Sequence, residues 1–218
     1  MARPTGVRNP DFEETRSALV RGMRRRLLAS DGARVSFREL AAAAGVGPAT
    51  LRHYFGTRTG ALTAVLGAVQ VEGAPYLLMV TRPPSAPLAE SLERLLRMVL
   101  VGMRHGLGDV HALGLAAGLR DPALGPGYLE HVLEPTLQAF EAHLAHHAAA
   151  GTLRADADLR LAALQLVGPI LLGALHQEQL GGARCRALDL DAVVGPHLDA
   201  WLRAWARRPT AAEHDATA

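Results

Sequence analysis

Residues 35–58 read VSFRELAAAAGVGPATLRHYFGTR, and this stretch decides the fold. Ser36 and Glu39 have capping-box spacing: the serine hydroxyl takes the Glu39 N–H, the glutamate takes the Ser36 N–H, and a short helix follows through Leu40 to Ala43. Gly45 ends it. Gly47 then offers an N-cap and Pro48 the first helical position, where its missing N–H costs nothing, so a second helix runs to about Phe55. Two short helices around a tight glycine turn make a helix-turn-helix, a device that lays its second helix in the DNA major groove. Phe37, Leu40, Ala41, Val46, Leu51 and Phe55 are expected to pack inward. Pro48, Ala49, Thr50, Arg52, His53 and Tyr54 then face out or along the groove. Arginine and tyrosine bond phosphates, while Ala49 and the Thr50 methyl let the helix approach base edges and thymine methyls.

Working outward, Asp11 and Glu14 have capping-box spacing for a first helix ending at Gly32, whose missing Cβ suits a left-handed cap. Leu19, Met23 and Leu27 form its inward stripe, and Arg24, Arg25 and Arg26 read as a solvated face. Thr57 caps a fourth helix toward Glu72. Beyond the break at Thr81-Arg82-Pro83-Pro84-Ser85, helices are expected at about 86–106, 109–119, 126–150, 157–180 and 188–207, separated by glycine and proline signals. No segment shows sustained period-2 alternation, aromatics are 4%, and Ala, Leu and Arg dominate, so the fold class is all-α. The expected organisation is a three-helix DNA-binding domain over 1–56, a larger helical domain over 57–208, and a small polar tail over 209–218, expected to be disordered.

The 218 residues are 49% hydrophobic with a mean hydropathy of +0.10, which excludes a disordered chain. Charge is uneven: residues 1–60 carry eleven arginines against five acids, and the remainder twelve against sixteen. A basic head on an acidic body points the head toward a polyanion. The lone Cys185 excludes an internal disulfide framework and fits a reducing compartment. The N-terminus lacks a secretory apolar core, and the longest apolar stretch, Leu161 to Leu175, falls short of the ~20 residues that span a bilayer, so a cytoplasmic protein with no membrane partner is expected.

On the run from Ala44-Gly45-Val46 through Leu51 and Phe55 to Arg58, the chain resembles the TetR family of bacterial transcriptional regulators, closely over about residues 11–66. Arg52 stands where the family usually has tyrosine, Tyr54 where it has histidine, and Arg58 where it has lysine. The resemblance implies a DNA-contact set of Ser36, Pro48, Ala49, Thr50, Arg52, His53, Tyr54 and Arg58, with Arg58 on a phosphate. It implies a homodimer on a double-stranded, near-palindromic operator, and a repressor released by a small organic effector.

It also implies an interface built from the last two helices. Leu190, Val194, Leu198, Trp201 and Trp205 make a seam-like stripe facing Leu161, Leu164, Gly168, Leu171, Leu172 and Leu175 on the preceding helix; packing within the protomer is the alternative. The middle helices should enclose an apolar pocket, with Met98, Met103, Leu133 and Phe140 as walls and His105, His111 and Gln165 as polar handles for a neutral or anionic effector. His143, His146 and His147 do not converge on a helical wheel and read as surface groups, so no metal or other cofactor is expected. Gly60 and Gly67 could make the fourth helix a compliant link or merely allow close packing. A small-molecule carrier that has lost DNA readout is the second reading; an enzyme is disfavoured because no nucleophile elbow, P-loop or dinucleotide fingerprint occurs.

Overall fold

The computed structural model describes residues 10–29 and 31–207, so the expected tail falls outside the described residues. Its elements are α1 (Pro10–Leu27), a 3₁₀ turn (Gly32–Arg34), α2 (Phe37–Ala43), α3 (Pro48–Phe55), α4 (Arg58–Val80), α5 (Leu88–Gly102), α6 (Gly108–Gly118), α7 (Gly125–Tyr128), α8 (Glu134–Ala149), α9 (Leu159–Ala174), α10 (Gly182–Cys185) and α11 (Leu190–Trp205). π-turns extend α7 over Leu129–Leu133 and α9 over Leu175–Gln179. Among the described residues there is no strand, only the isolated bridge Leu153–Ala206.

Two compact units emerge: the described residues of Met1–Glu72 with Asp109–Val132, and those of Gly73–Gly108 with Leu133–Ala218. This differs from a division at 56/57. The first half of α4 contributes buried Ala61, Leu62 and Val65, and α6 contributes Leu113 and Ala117, to the same apolar cluster as Met23, Leu27, Leu40 and Leu51. The head is therefore larger than its helix-turn-helix.

Local signals fixed most boundaries, with instructive exceptions. Asp11 is already inside α1, so it does not cap it. α1 stops at Leu27, and Gly32 is no left-handed cap; a Cβ there would lie 1.6 Å from the Leu27 carbonyl oxygen, so glycine serves close approach. α4 continues past Glu72 and through Pro75 to Val80. Gly60 is required by packing, because its Cβ would sit 2.2 Å from the Phe55 carbonyl oxygen. At Gly67 a Cβ would meet only the His131 ring, at 3.8 Å.

In the second unit α9 packs against α8, α5 and α11. α11 is stapled to α9 by side-chain donors: His197 Nε2 to Leu166 O at 2.8 Å, Trp201 Nε1 to Ala162 O at 2.9 Å and Trp205 Nε1 to Gln165 Oε1 at 2.9 Å. Two helices, Arg58–Val80 and Leu159–Gln179, are long and apolar enough to cross a membrane by length and composition, the second because the π-turn lengthens α9 beyond the apolar stretch read from sequence. Its Ala162, Ala163, Leu166, Val167 and Ile170 are nevertheless buried inside the unit.

Candidate nucleic-acid interface

The helix-turn-helix forms as its caps dictate. Ser36 Oγ accepts the Glu39 N–H at 3.2 Å and the Glu39 carboxylate accepts the Ser36 N–H at 2.8 Å. The Ser36 N–H, and after it the Ser36 hydroxyl and Arg26, hold the Glu39 carboxyl below the usual carboxylate range. Gly45 takes φ +72°, a left-handed conformation that only glycine adopts without strain, and Gly47 with Pro48 opens α3. Leu40, Ala41, Leu51 and Phe55 are buried, and Phe37 and Val46 pack partly buried against them.

That leaves α3 with Pro48, Ala49, Thr50, Arg52 and His53 exposed. The Arg52 guanidinium lies 5.8 Å from the Phe37 ring centre, a cation–π placement that sets it against α2 while the residue stays exposed. Tyr54 is half-buried: its ring stacks on Phe12 at 4.6 Å, and His53 meets Phe12 edge-on at 6.0 Å. Phe12, in the first turn of α1, was not among the residues singled out from sequence. Its signal was an aromatic within the polar opening of that helix, ahead of the Leu19–Met23–Leu27 stripe.

Arg58 differs most from its expected role. Its Nε donates to Val35 O at 2.6 Å and its Nη2 to Ala33 O at 2.7 Å, so the guanidinium is engaged with the turn before α2. Arg24 pairs with Glu72, and Arg26 with Asp31 and Glu39, which makes these two an ion-paired part of the α1 surface. The Asp31 partner raises Arg26 and the Arg26 partner lowers Asp31.

The residues expected to line a pocket occupy varied environments. Met103 and Phe140 are buried in the second unit, Met98 and Leu133 half-buried, and His105 and Gln165 exposed. His105 Nδ1 donates to Val101 O at 2.8 Å, and Gln165 is occupied by Trp205. His111 belongs to the first unit, buried, with Nδ1 2.7 Å from the Tyr128 hydroxyl. Desolvation lowers His111 to about 4 and raises Tyr128 to about 12, so the bond joins a neutral phenol and a neutral imidazole at pH 7.

The expected α11 seam is corrected: Val194, Leu198 and Trp201, with Leu175 of the π-turn, are buried inside the protomer, and Trp205 is half-buried against Gln165. The periodicity marked a buried stripe; the staples to α9 determine what covers it. On α9, Leu164 and Leu172 are exposed, as is Leu161, and Gly168 and Leu171 are half-exposed.

The histidines are also corrected, because His143 and His147 are buried. Ser91 Oγ lies 2.9 Å from His147 Nε2 and 3.3 Å from His143 Nε2, His143 Nδ1 donates to Val80 O, and His146 Nε2 donates to Thr81 O. The partners come from 52 to 65 residues away in sequence, beyond the reach of a helical wheel. Among the described residues no group of three potential ligands could hold a metal ion.

Two family profiles match the chain: "Bacterial regulatory proteins, tetR family" over residues 25–65, and "AefR-like transcriptional repressor, C-terminal domain" over residues 88–207. No curated protein matches. Among solved structures, a TetR-family transcriptional regulator from Mesorhizobium loti superposes with a TM-score of 0.72 at 18% identity, covering 91% of this chain and 100% of that one. SmeT, repressor of the Stenotrophomonas maltophilia multidrug efflux pump SmeDEF, gives 0.64 at 18% identity, covering 90% and 93%. The SmeT–triclosan complex gives 0.64 at 18% identity, covering 89% and 92%.

Proposed function

Because the chain belongs to the TetR family of bacterial regulatory proteins, and is therefore a DNA-binding transcriptional regulator, we propose that it is a repressor acting in the cytoplasm. It binds a near-palindromic operator as a homodimer and leaves it when a small organic effector binds. The observation that carries this reading is the outward face of α3, where Pro48, Ala49 and Thr50 leave room for close approach and Arg52 supplies an exposed fork of donors. Release follows if the effector favours a conformation whose two recognition helices no longer match successive major grooves; equal affinity for both conformations would shift nothing. SmeT with triclosan supports an organic effector for this chain.

The test is a mobility shift on a duplex from upstream of the chain's own coding sequence, against a scrambled duplex. Arg52→Ala should weaken binding about tenfold or more, as expected for one base-edge or phosphate contact. Equal affinity of wild type for both duplexes at physiological salt would instead favour a carrier that has lost sequence readout.

For the dimer, the exposed α9 leucines support an interface. Leu161, Leu164, Gly168 and Leu172 are spaced three, four and four apart, which aligns them on one face. A Cβ at Gly168, or at Gly195 of α11, would meet nothing within 4 Å, so both leave room for a second backbone. Leu164→Arg with Leu172→Arg should give a monomer by analytical ultracentrifugation with a nearly unchanged melting temperature. Leu198→Asp should instead unfold the protomer, since a buried unpaired charge costs several kcal/mol. A dimer that survives the double arginine variant would move the interface elsewhere.

A further inference from the structure

The corner between α3 and α4 is built as one stiff piece. Gly56 takes φ +68°, Thr57 N–H donates to Phe55 O at 2.7 Å, Gly60 N–H donates to Thr57 Oγ1 at 3.1 Å, and the Gly60 Cα lies too close to Phe55 O to carry a side chain. Arg58 is the first residue of α4 and leaves this corner half-buried. Its guanidinium reaches back 23 and 25 residues to the carbonyls of Val35 and Ala33. Those carbonyls lie on the turn that delivers the chain to Ser36, the N-cap of α2, a turn closed by Arg34 N–H on Asp31 O at 2.8 Å and Val35 N–H on Gly32 O at 3.2 Å. The entrance and exit of the helix-turn-helix are thus joined through one side chain.

We propose that Arg58 is a positioning residue for DNA recognition: it clasps the entrance of α2 to the α3–α4 corner and so sets the attitude of α3, rather than holding a DNA phosphate itself. The inference rests on the DNA-binding reading above and specifies how this site is held. Apolar burial of Leu40, Leu51 and Phe55 supplies adhesion between α2, α3 and the head, but adhesion is non-directional. Two donors of one planar group, fixed on carbonyls two residues apart, supply direction. Bonds with a charged partner are also roughly twice as strong as neutral ones. A phosphate contact by the same fork would strip both carbonyls of these donors in a half-buried turn, where an unmet polar group is costly. Lysine is no substitute, because its compact ammonium lacks the planar spread that reaches both acceptors in fixed geometry.

The experiment compares full-length wild type with Arg58→Lys and Arg58→Met. Fluorescence anisotropy on a labelled duplex from upstream of the coding sequence is run across a NaCl series, well below each variant's melting temperature. Hydrogen exchange is measured over residues 33–43. Both variants should lose about tenfold in affinity, keep the wild-type slope of log affinity against log salt, and exchange faster over 33–43. If Arg58→Met lowers that slope by about one while Arg58→Lys keeps it, Arg58 holds a phosphate and the proposal fails. Lower melting temperatures with unchanged affinity would make the clasp merely structural and overturn it too. Wild type that binds no duplex would overturn the DNA-binding reading and with it the recognition role, while unchanged exchange over 33–43 would separately remove the clasp.

Discussion

Gly114→Ala should destabilise the first unit by about 3 kcal/mol, the sum expected when a core site is overpacked and a buried hydrogen bond is lost. A Cβ at Gly114 of α6 would lie 2.1 Å from Tyr128 Cδ2 and 2.7 Å from Cγ, contacts no side chain tolerates. Tyr128 has little freedom to yield. It is 3% exposed, its hydroxyl is bonded to buried His111, and its neighbour Gly127 lies so close to α4 that a Cβ there would be 3.0 Å from Thr63 Oγ1. Moving the ring therefore leaves two buried polar groups unpaired or displaces the segment from α4. Gly73→Ala is the control, since a Cβ there would meet nothing within 4 Å. In a helix interior that change should be neutral or stabilising by up to ~1 kcal/mol. Urea denaturation followed by far-UV circular dichroism decides the matter. Equal midpoints for Gly114→Ala and wild type would show that Tyr128 is not locked.

The helix-turn-helix was legible because its signals are local. Ser36 with Glu39, Gly45, and Gly47 with Pro48 each act within four residues, so sequence alone placed α2 and α3 correctly. What sequence could not show is which distant group completes a local pattern. The stripe through Val194, Leu198 and Trp201 is real, but it takes the bonds from His197, Trp201 and Trp205 to reveal that α9 of the same chain covers it. His143 and His147 read as surface groups because the three histidines do not converge on a wheel, which cannot see Ser91 or the end of α4. Arg58 carries the family's charge at the expected position, yet its hydrogen bonds go to carbonyls on the far side of the motif. The pocket is the least legible part: Met98, Met103, Leu133 and Phe140 are apolar residues of ordinary helices, and core packing demands the same residues as a pocket wall.

Acidification should weaken the two units through different histidines. Burial lowers His111 to about 4, so its neutral form is favoured by the fold. The stabilisation is complete above the unfolded value of about 6.5 and is lost progressively as pH falls from there toward 4, amounting to roughly 3 kcal/mol at the bottom of that window. In the second unit His143 and His147 are also lowered: His143 by desolvation, against the Val80 and Arg82 carbonyls, which raise it, and with the positive charge of His146 and Arg94 adding to the lowering; His147 by desolvation and then by His143 and His146. Their stabilisation likewise fades below about 6.5. Neutral His143 donates through Nδ1 to Val80 O, which leaves its Nε2 as an acceptor beside the Ser91 hydroxyl, a group that also meets His147 Nε2 and donates to Leu88 O. Protonating both rings, whose centres are 5.2 Å apart, would set like charges against each other in a buried site. The two losses can be read separately, because both tryptophans, Trp201 and Trp205, lie on α11 in the second unit. Urea midpoints from tryptophan fluorescence should fall below pH 6.5 in wild type and fall less in His143→Gln, which keeps an amide donor for Val80 O but cannot titrate. Circular dichroism midpoints should show the same rescue in His111→Gln, whose amide carries both a donor and an acceptor for the Tyr128 hydroxyl. If both glutamine variants track wild type from pH 7 down to pH 4, these histidines titrate as freely in the folded chain as in the unfolded one, and their burial carries no linkage to stability.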